Sequence, residues 1–258
     1  MKRVVDIYMD VYAQGFVPIF VNDNLDGRML VDACVNAGVG AIEYTMRRKD
    51  FREVIPWIRK TYPSLTLLIG STIDDEKIVR SVRKDNPQLM TMSELSDLGV
   101  SGFISMMGMC KETIEKYKDN QLLVPTAWTL NEALQMLGYG AHFVKVMGPA
   151  LTRLREFRAE PTFGFCPIFM TGGMDLSRIP DAIAEGAILI GSGFDIMLKD
   201  KPANLTRANI ENVIKEYISV TQEARLQFLP QIQKLKNVSS ESFISSLPHY
   251  QQIFPPED

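Results

Sequence analysis

Eight short, nearly uninterrupted apolar runs punctuate this chain, and they limit its architecture more than any other feature. They span Gly15 to Val21, Ala41 to Thr45, Leu65 to Gly70, Gly102 to Ser105, Leu122 to Pro125, Phe143 to Met147, Pro167 to Thr171 and Ala187 to Ile190. A strand that is apolar on both faces must be covered on both faces, which is the pattern of a parallel sheet enclosed by helices. Helix-patterned segments lie between the runs. In Asp26 to Ala37, for example, Met29, Leu30, Ala33 and Cys34 recur at helical spacing, and Leu130 to Leu137 repeats the pattern. Eight strand-then-helix units predict an α/β protein of the (β/α)8 TIM-barrel type. A doubly wound open sheet is the alternative, but no run is followed by a G-x-G-x-x-G turn.

Two pieces fall outside that pattern. Val4, Val5, Ile7, Tyr8, Val11 and Tyr12 predict a leading N-terminal helix. Past Asp200, Thr206 caps a helix to Leu229 that carries Ile210, Val213, Ile214, Tyr217 and Ile218, and Pro230 ends it. The tail from Asn237 to Asp258 keeps Phe243, Ile244, Leu247, Tyr250, Ile253 and Phe254, enough apolar surface to dock on the body or on a neighbouring subunit. The expected organisation is a barrel over residues 1–200 and a C-terminal helical extension over 201–258.

Composition serves mainly to exclude. A net charge of −3 leaves no basic footprint for nucleic acid and no polybasic membrane patch. No stretch approaches the roughly 18 consecutive apolar residues of a membrane span, and Asp6 and Asp10 interrupt any signal-like start. Cys34, Cys110 and Cys166 are odd in number, scattered, and without ligand-spaced partners, which predicts reduced thiols, a cytoplasmic location and no metal.

The chemistry is expected where charge enters the apolar runs. Lys145 sits inside His142-Phe143-Val144-Lys145-Val146-Met147, and Glu43 inside Val39 to Arg47. Lysine and glutamate are rarely buried unless paired, and a buried amine beside a buried carboxylate is the minimum equipment for Schiff-base chemistry on a carbonyl. Side-chain alternation places Glu43, Thr45 and Arg47 on one face, with Arg47 at the rim, suited to grip a carboxylate. The last two runs end in Thr171-Gly172-Gly173 and Gly191-Ser192-Gly193, glycine turns placed where barrels bind anions. Taken singly, each feature also has an ordinary structural reading. Lys145 can be a solvated strand edge, Glu43 the ion-pair partner of a helix arginine, and Arg47-Arg48-Lys49-Asp50 a polar loop. The Met106, Met107 and Met109 cluster is read as packing. His142 and His249 have no partner at a useful spacing and receive no role.

Together these residues resemble the 2-keto-3-deoxy-6-phosphogluconate and 4-hydroxy-2-oxoglutarate aldolase family. The motifs that carry the likeness are Val17-Pro18-Ile19, Ala41 to Arg47, Gly70-Ser71-Thr72, Phe143-Val144-Lys145, Phe165-Cys166-Pro167 and Thr171-Gly172-Gly173, in the family's order over Gly15 to Leu198. The resemblance implies a class I aldolase that cleaves a 2-keto-3-deoxy sugar acid to pyruvate and an aldehyde, without metal or cofactor, commonly as a homotrimer. It implies Lys145 as the Schiff-base lysine and Glu43 as the proton shuttle. Arg47 and Thr72 would hold the 2-oxo acid carboxylate. Thr171, Gly172, Gly173, Gly191 and Ser192 would line the substrate's far end, with Gly172 and Gly173 facing a phosphate.

The chain also departs from the family. Val146-Met147-Gly148-Pro149-Ala150 follows the lysine, Ser105-Met106-Met107-Gly108 follows strand four, and Thr126-Ala127-Trp128-Thr129 follows strand five, bringing an indole near the mouth. The serine of the last glycine turn is shifted by one place, and the chain is longer around Lys84 to Met92. Two other functions fit the same barrel: a phosphosugar isomerase or epimerase using Glu43 as base, and a non-catalytic binder of 2-oxo acids.

Overall fold

The computed structural model describes residues 2–148, 154, 166–201, 205–230, 239 and 242. The apolar runs form eight parallel strands: β1 (Phe16–Phe20), β2 (Ala41–Thr45), β3 (Thr66–Thr72), β4 (Gly102–Ser105), β5 (Leu122–Val124), β6 (Val144–Met147), β7 (Ile168–Thr171) and β8 (Ala187–Gly193). They make one sheet in the order β5-β4-β3-β2-β1-β8-β7-β6. The remaining seam lies between β5 and β6. It is joined by a parallel bridge between Thr126 and Lys145, where the Lys145 N–H donates to the Pro125 carbonyl at 2.8 Å and the Ala127 N–H to the Lys145 carbonyl at 3.0 Å. The sheet therefore curls into the expected (β/α)8 barrel, and Lys145 stands at its seam.

Helices cover the outside. Among the described residues they are α2 (Gly27–Asn36), α3 (Phe51–Thr61), α4 (Glu76–Val82), α5 (Met92–Asp97), α6 (Lys111–Tyr117), α7 (Leu130–Tyr139), α8 (Ile179–Ala184), the single turn α9 (Phe194–Met197) and α10 (Arg207–Phe228). Their starts follow local chemistry. The Asp26 side chain accepts from the Met29 N–H, and Thr91, Thr129 and Thr206 each form a capping box with the residue three positions on. The extra length around Lys84 to Met92 is tied down by Arg52, which donates to the carbonyls of Pro87 at 2.7 Å and Leu89 at 2.8 Å.

The leading helix α1 (Val4–Gln14) closes the end of the barrel where the strands begin. Tyr8 stacks on Phe143 just before β6, with ring centroids 4.5 Å apart. Gln14 bonds the carbonyl of Ala41 at 2.8 Å and accepts from the N–H groups of Gly40 and Ala41 at 2.7 and 2.9 Å. α10 lies against α2 and α8, and its Ile210, Val213, Ile214 and Tyr217 join the same buried cluster as the strands. Arg225, near its end, is fully buried and donates to the Tyr12 carbonyl at 2.6 Å and the Ala13 carbonyl at 3.3 Å. Apart from Ser239 and Ser242, the tail expected from Asn237 to Asp258 lies outside the described residues, as do Pro149, Ala150, Phe165 and His249. Among the described residues, no helix is long and apolar enough to cross a membrane.

Candidate active site

With the N-terminal end plugged by α1, the open end of the barrel is the one where the strands finish. Register then sets which side chains meet there. Glu43 is level with Ile19 of β1 and Leu68 of β3, and Lys145 with Phe169 of β7. Closure at the β5–β6 seam brings Lys145 Nζ to 3.9 Å from Glu43 Oε1, with the two side chains 4% and 1% exposed. Gly70 makes the space for this carboxylate. A Cβ at that position would collide with Glu43 Oε1 and lie 2.8 Å from Thr45 Cγ2, so a strand glycine marks a close approach.

Burial governs the protonation of both groups. It pushes the Glu43 carboxyl above its ordinary range, and the cations of Lys145 and Arg47 only partly oppose it. It holds the Lys145 amine below its ordinary range, with Glu43 opposing and Arg47 reinforcing the shift. Desolvation penalises the charged form of each, so burial shifts both groups toward their neutral forms. Glu43 Oε2 is buried and has no hydrogen-bond partner.

Arg47 and Arg48, adjacent in sequence, have different environments. Arg48 is 1% exposed and donates to the Tyr44 hydroxyl at 2.9 Å, to Asp50 at 2.5 Å, and to the carbonyls of Asn22 and Leu25. Its guanidinium locks the loop after β2 onto the loop after β1. Arg47 is exposed and makes no ion pair among the described residues, leaving its fork free at the rim. Arg47-Arg48-Lys49-Asp50 is thus a polar loop, and Arg48 can be buried in it because its guanidinium meets fixed acceptors.

Hydroxyl groups staple the strand ends around the mouth. Thr45 Oγ1 donates to the Phe20 carbonyl at 2.7 Å, Ser105 Oγ to the Thr72 carbonyl at 2.9 Å, and Thr126 Oγ1 to the Ser105 carbonyl at 2.7 Å. These bonds link β3, β4 and β5 to the seam that carries Lys145, and hold the pair on rigid elements. Thr72 is 1% exposed, and its own hydroxyl oxygen is buried without a partner.

The turn after β7 adopts the conformation its glycines allow, with φ of 84° at Gly172 and 68° at Gly173. Thr171 is buried, and its carbonyl accepts from the Gly148 N–H at 2.9 Å. Arg178 donates to the Gly173 carbonyl at 2.9 Å. In the last glycine turn Gly191 faces Ile19 and Phe169, so Ser192 points to the opposite face and donates to the Met174 carbonyl at 2.6 Å. The Asp195 carboxylate overhangs Gly193, where a Cβ would clash with it.

Two residues at the mouth received no role from the sequence. Met106 is not packing alone: Lys145 Nζ donates to its sulfur at 3.5 Å, so a thioether covers the amine. Met109 is buried as expected, while Met107 and Trp128 are about half exposed, at 49% and 51%. The second is Ser71, the only non-glycine residue with positive φ among those described, at 62°. Holding a side chain in that region costs about 1 kcal/mol relative to glycine. His142, given no role, is fully buried and accepts the Leu123 N–H on Nδ1 at 3.0 Å, a link across the β5–β6 seam. Among the described residues, no group of three or more His, Cys, Asp or Glu side chains stands together as a metal site requires.

No protein-family model and no curated protein matches this chain. Solved structures do match it. One, described as native KDPGal, is 17% identical, covers 81% of this chain and 95% of its own, and has a TM-score of 0.62. The 2-keto-3-deoxy-6-phosphogluconate aldolase of Zymomonas mobilis ZM4, with 3-phosphoglycerate, is 19% identical over 84% of this chain and 97% of its own, with a TM-score of 0.61. The KDPG aldolase of Legionella pneumophila, with pyruvate captured as a covalent carbinolamine, is 14% identical over 85% and 98%, with a TM-score of 0.59. The chain shares the barrel fold of these aldolases.

Proposed function

We propose that the protein is a class I aldolase that cleaves a 2-keto-3-deoxy acid to pyruvate and an aldehyde through a Schiff base on Lys145. The observation that carries this reading is the buried approach of Lys145 Nζ to Glu43 Oε1 at 3.9 Å. A phosphosugar isomerase needs a base but has no use for an uncharged amine. Burying a lysine is costly, and the cost is understandable where the free amine is the nucleophile.

In the proposed mechanism, the neutral amine attacks the 2-keto carbon and the carbonyl oxygen becomes a carbinolamine hydroxyl. A separation of 3.9 Å exceeds a hydrogen bond, which leaves room for that oxygen between nitrogen and carboxyl. Glu43, protonated, gives its proton to the departing hydroxyl as water leaves and the iminium forms. The resulting carboxylate takes the proton from the C4 hydroxyl, the C3–C4 bond breaks, and its electron pair moves into the iminium to make an enamine. The aldehyde departs, Glu43 returns the proton to C3, and water hydrolyses the imine to pyruvate and free Lys145. Arg47 and Thr72 would hold the substrate carboxylate. The backbones of Thr171, Gly172, Gly173 and Gly191 would line its far end. The hydroxyl of Ser192 is spent on Met174 and supports the β7 turn instead.

Borohydride reduction in the presence of pyruvate tests the reading. A stable adduct should appear on Lys145 and vanish in Lys145→Met. No adduct at saturating pyruvate would overturn the assignment.

A further inference from the structure

We infer that Ser71 is a substrate-binding residue: its hydroxyl, held in place by a strained backbone, shares with Thr72 and Arg47 the task of seating the carboxylate of a small 2-oxo acid. The inference rests on the reading above and adds a residue to it. Two independent observations support it. First, Ser71 is the only described non-glycine residue with positive φ, and it falls at the end of β3, where the register shifts between Gly70 and Thr72. Glycine would relax this position, and strain retained at a strand end beside a buried acid calls for a functional reason. Second, four side-chain oxygens among the described residues are buried without a partner, and two of them, Ser71 Oγ and Thr72 Oγ1, are neighbours at this strand end, with Glu43 Oε2 a third on the paired strand β2. Buried polar atoms are almost always satisfied, so a group of orphans on two neighbouring strand ends marks where a ligand supplies the missing bonds.

The chemistry of the group selects the ligand. Ser71 and Thr72 each offer one O–H, and Arg47 at the end of β2 adds a free guanidinium. Two adjacent hydroxyl donors and a cation fit a carboxylate. Burial pushes the Glu43 carboxyl toward its neutral form, which weakens its repulsion of a carboxylate. A carboxylate is held equally in the ground state and the transition state, so losing Ser71 should raise KM and leave kcat nearly unchanged.

The test uses the full chain as wild type, Ser71→Gly and Ser71→Ala. Thermal unfolding is followed against propanoate, which has the carboxylate but no keto group, and borohydride trapping against pyruvate. Without ligand, Ser71→Gly should melt about 2–4 °C above wild type because strain is released, whereas Ser71→Ala should not. Both variants should need about tenfold more propanoate or pyruvate for half-saturation, the effect of losing a hydrogen bond to a charged group. Equal half-saturating concentrations in all three proteins would overturn the role of Ser71. A wild type that propanoate stabilises, with the variants responding weakly, but that traps no pyruvate would keep the carboxylate seat and remove the lyase reading. Equal trapping by all three would keep the lyase and remove Ser71.

Discussion

At the scale of single residues, the site is defined by what burial does to charge. Glu43 binds its proton more tightly in the folded chain than in the unfolded one. Above its ordinary value of 4.5 the unfolded state releases that proton first, so stability falls as pH rises from 4.5 through the folded pKa. Lys145 has the opposite sign. Its folded pKa lies below 10.5, so its penalty is complete at low pH and is relieved as pH climbs from the folded value toward 10.5. Glu43→Gln should therefore melt close to wild type near pH 4 and above it near pH 8, while pyruvate trapping slows by about 10²–10⁴-fold for want of the proton shuttle. Calorimetry across that range checks the sign, and wild-type trapping rates in the variant would remove Glu43 from the chemistry. The sequence already singled out Lys145 and Glu43, because charge inside an apolar run is conspicuous in one dimension. Alternation also picked out Arg47, but it left no trace of the burial of Arg48, which depends on acceptors from the β1 loop.

At the scale of elements, the ends of the strands carry the side chains that would select a substrate under the proposed function. β8 runs on to Gly193, three residues past its apolar run, and leads straight into α9. Asp195, in the first turn of α9, is exposed and leans its carboxylate over Gly193. A negative charge beside this glycine turn disfavours an anionic substrate tail. Asp195→Asn should raise kcat/KM for a 6-phosphorylated 2-keto-3-deoxy acid relative to its unphosphorylated counterpart by about fivefold, the equivalent of roughly 1 kcal/mol at an exposed site. An unchanged ratio would show that Asp195 plays no part in selection. The element boundaries were legible where chemistry is local: Thr206 caps α10, and Pro230 follows its end. The seat formed by Ser71 and Thr72 was less visible, since neither the bulge in β3 nor the φ of Ser71 leaves a periodic trace.

At the scale of the whole molecule, helices α1 and α10 clamp each other as well as the barrel. Arg225 reaches from α10 to the end of α1, lies 5.4 Å from the Tyr12 ring centre, and bonds the carbonyls of Tyr12 and Ala13. Burial lowers its pKa to about 10, with Tyr12 opposing, which still leaves it charged at neutral pH. Gln222 adds a bond to the Gln14 carbonyl at 2.8 Å. Arg225→Ala would leave a cavity and two unsatisfied carbonyls. It should cost about 3 kcal/mol and lower the melting temperature by about 6–12 °C. Because the clamp grips the closed end, residual trapping below the new melting temperature should match wild type. A loss of trapping in the folded variant would mean that the closed end shapes the site.

The sequence by itself determined the number and order of the strands, the helices between them, and the presence of one amine and one acid inside the apolar runs. Those properties are periodic or compositional, and they are written within a few neighbouring residues. The tertiary structure alone decided that β5 and β6 meet at Lys145, that the amine lies 3.9 Å from Glu43, and that Met106 covers it. It also decided that Arg48 is buried while Arg47 is free, and that Ser71 is strained. Distances between strands depend on how the whole sheet curls and in which register it closes, and no local stretch of chain encodes that closure.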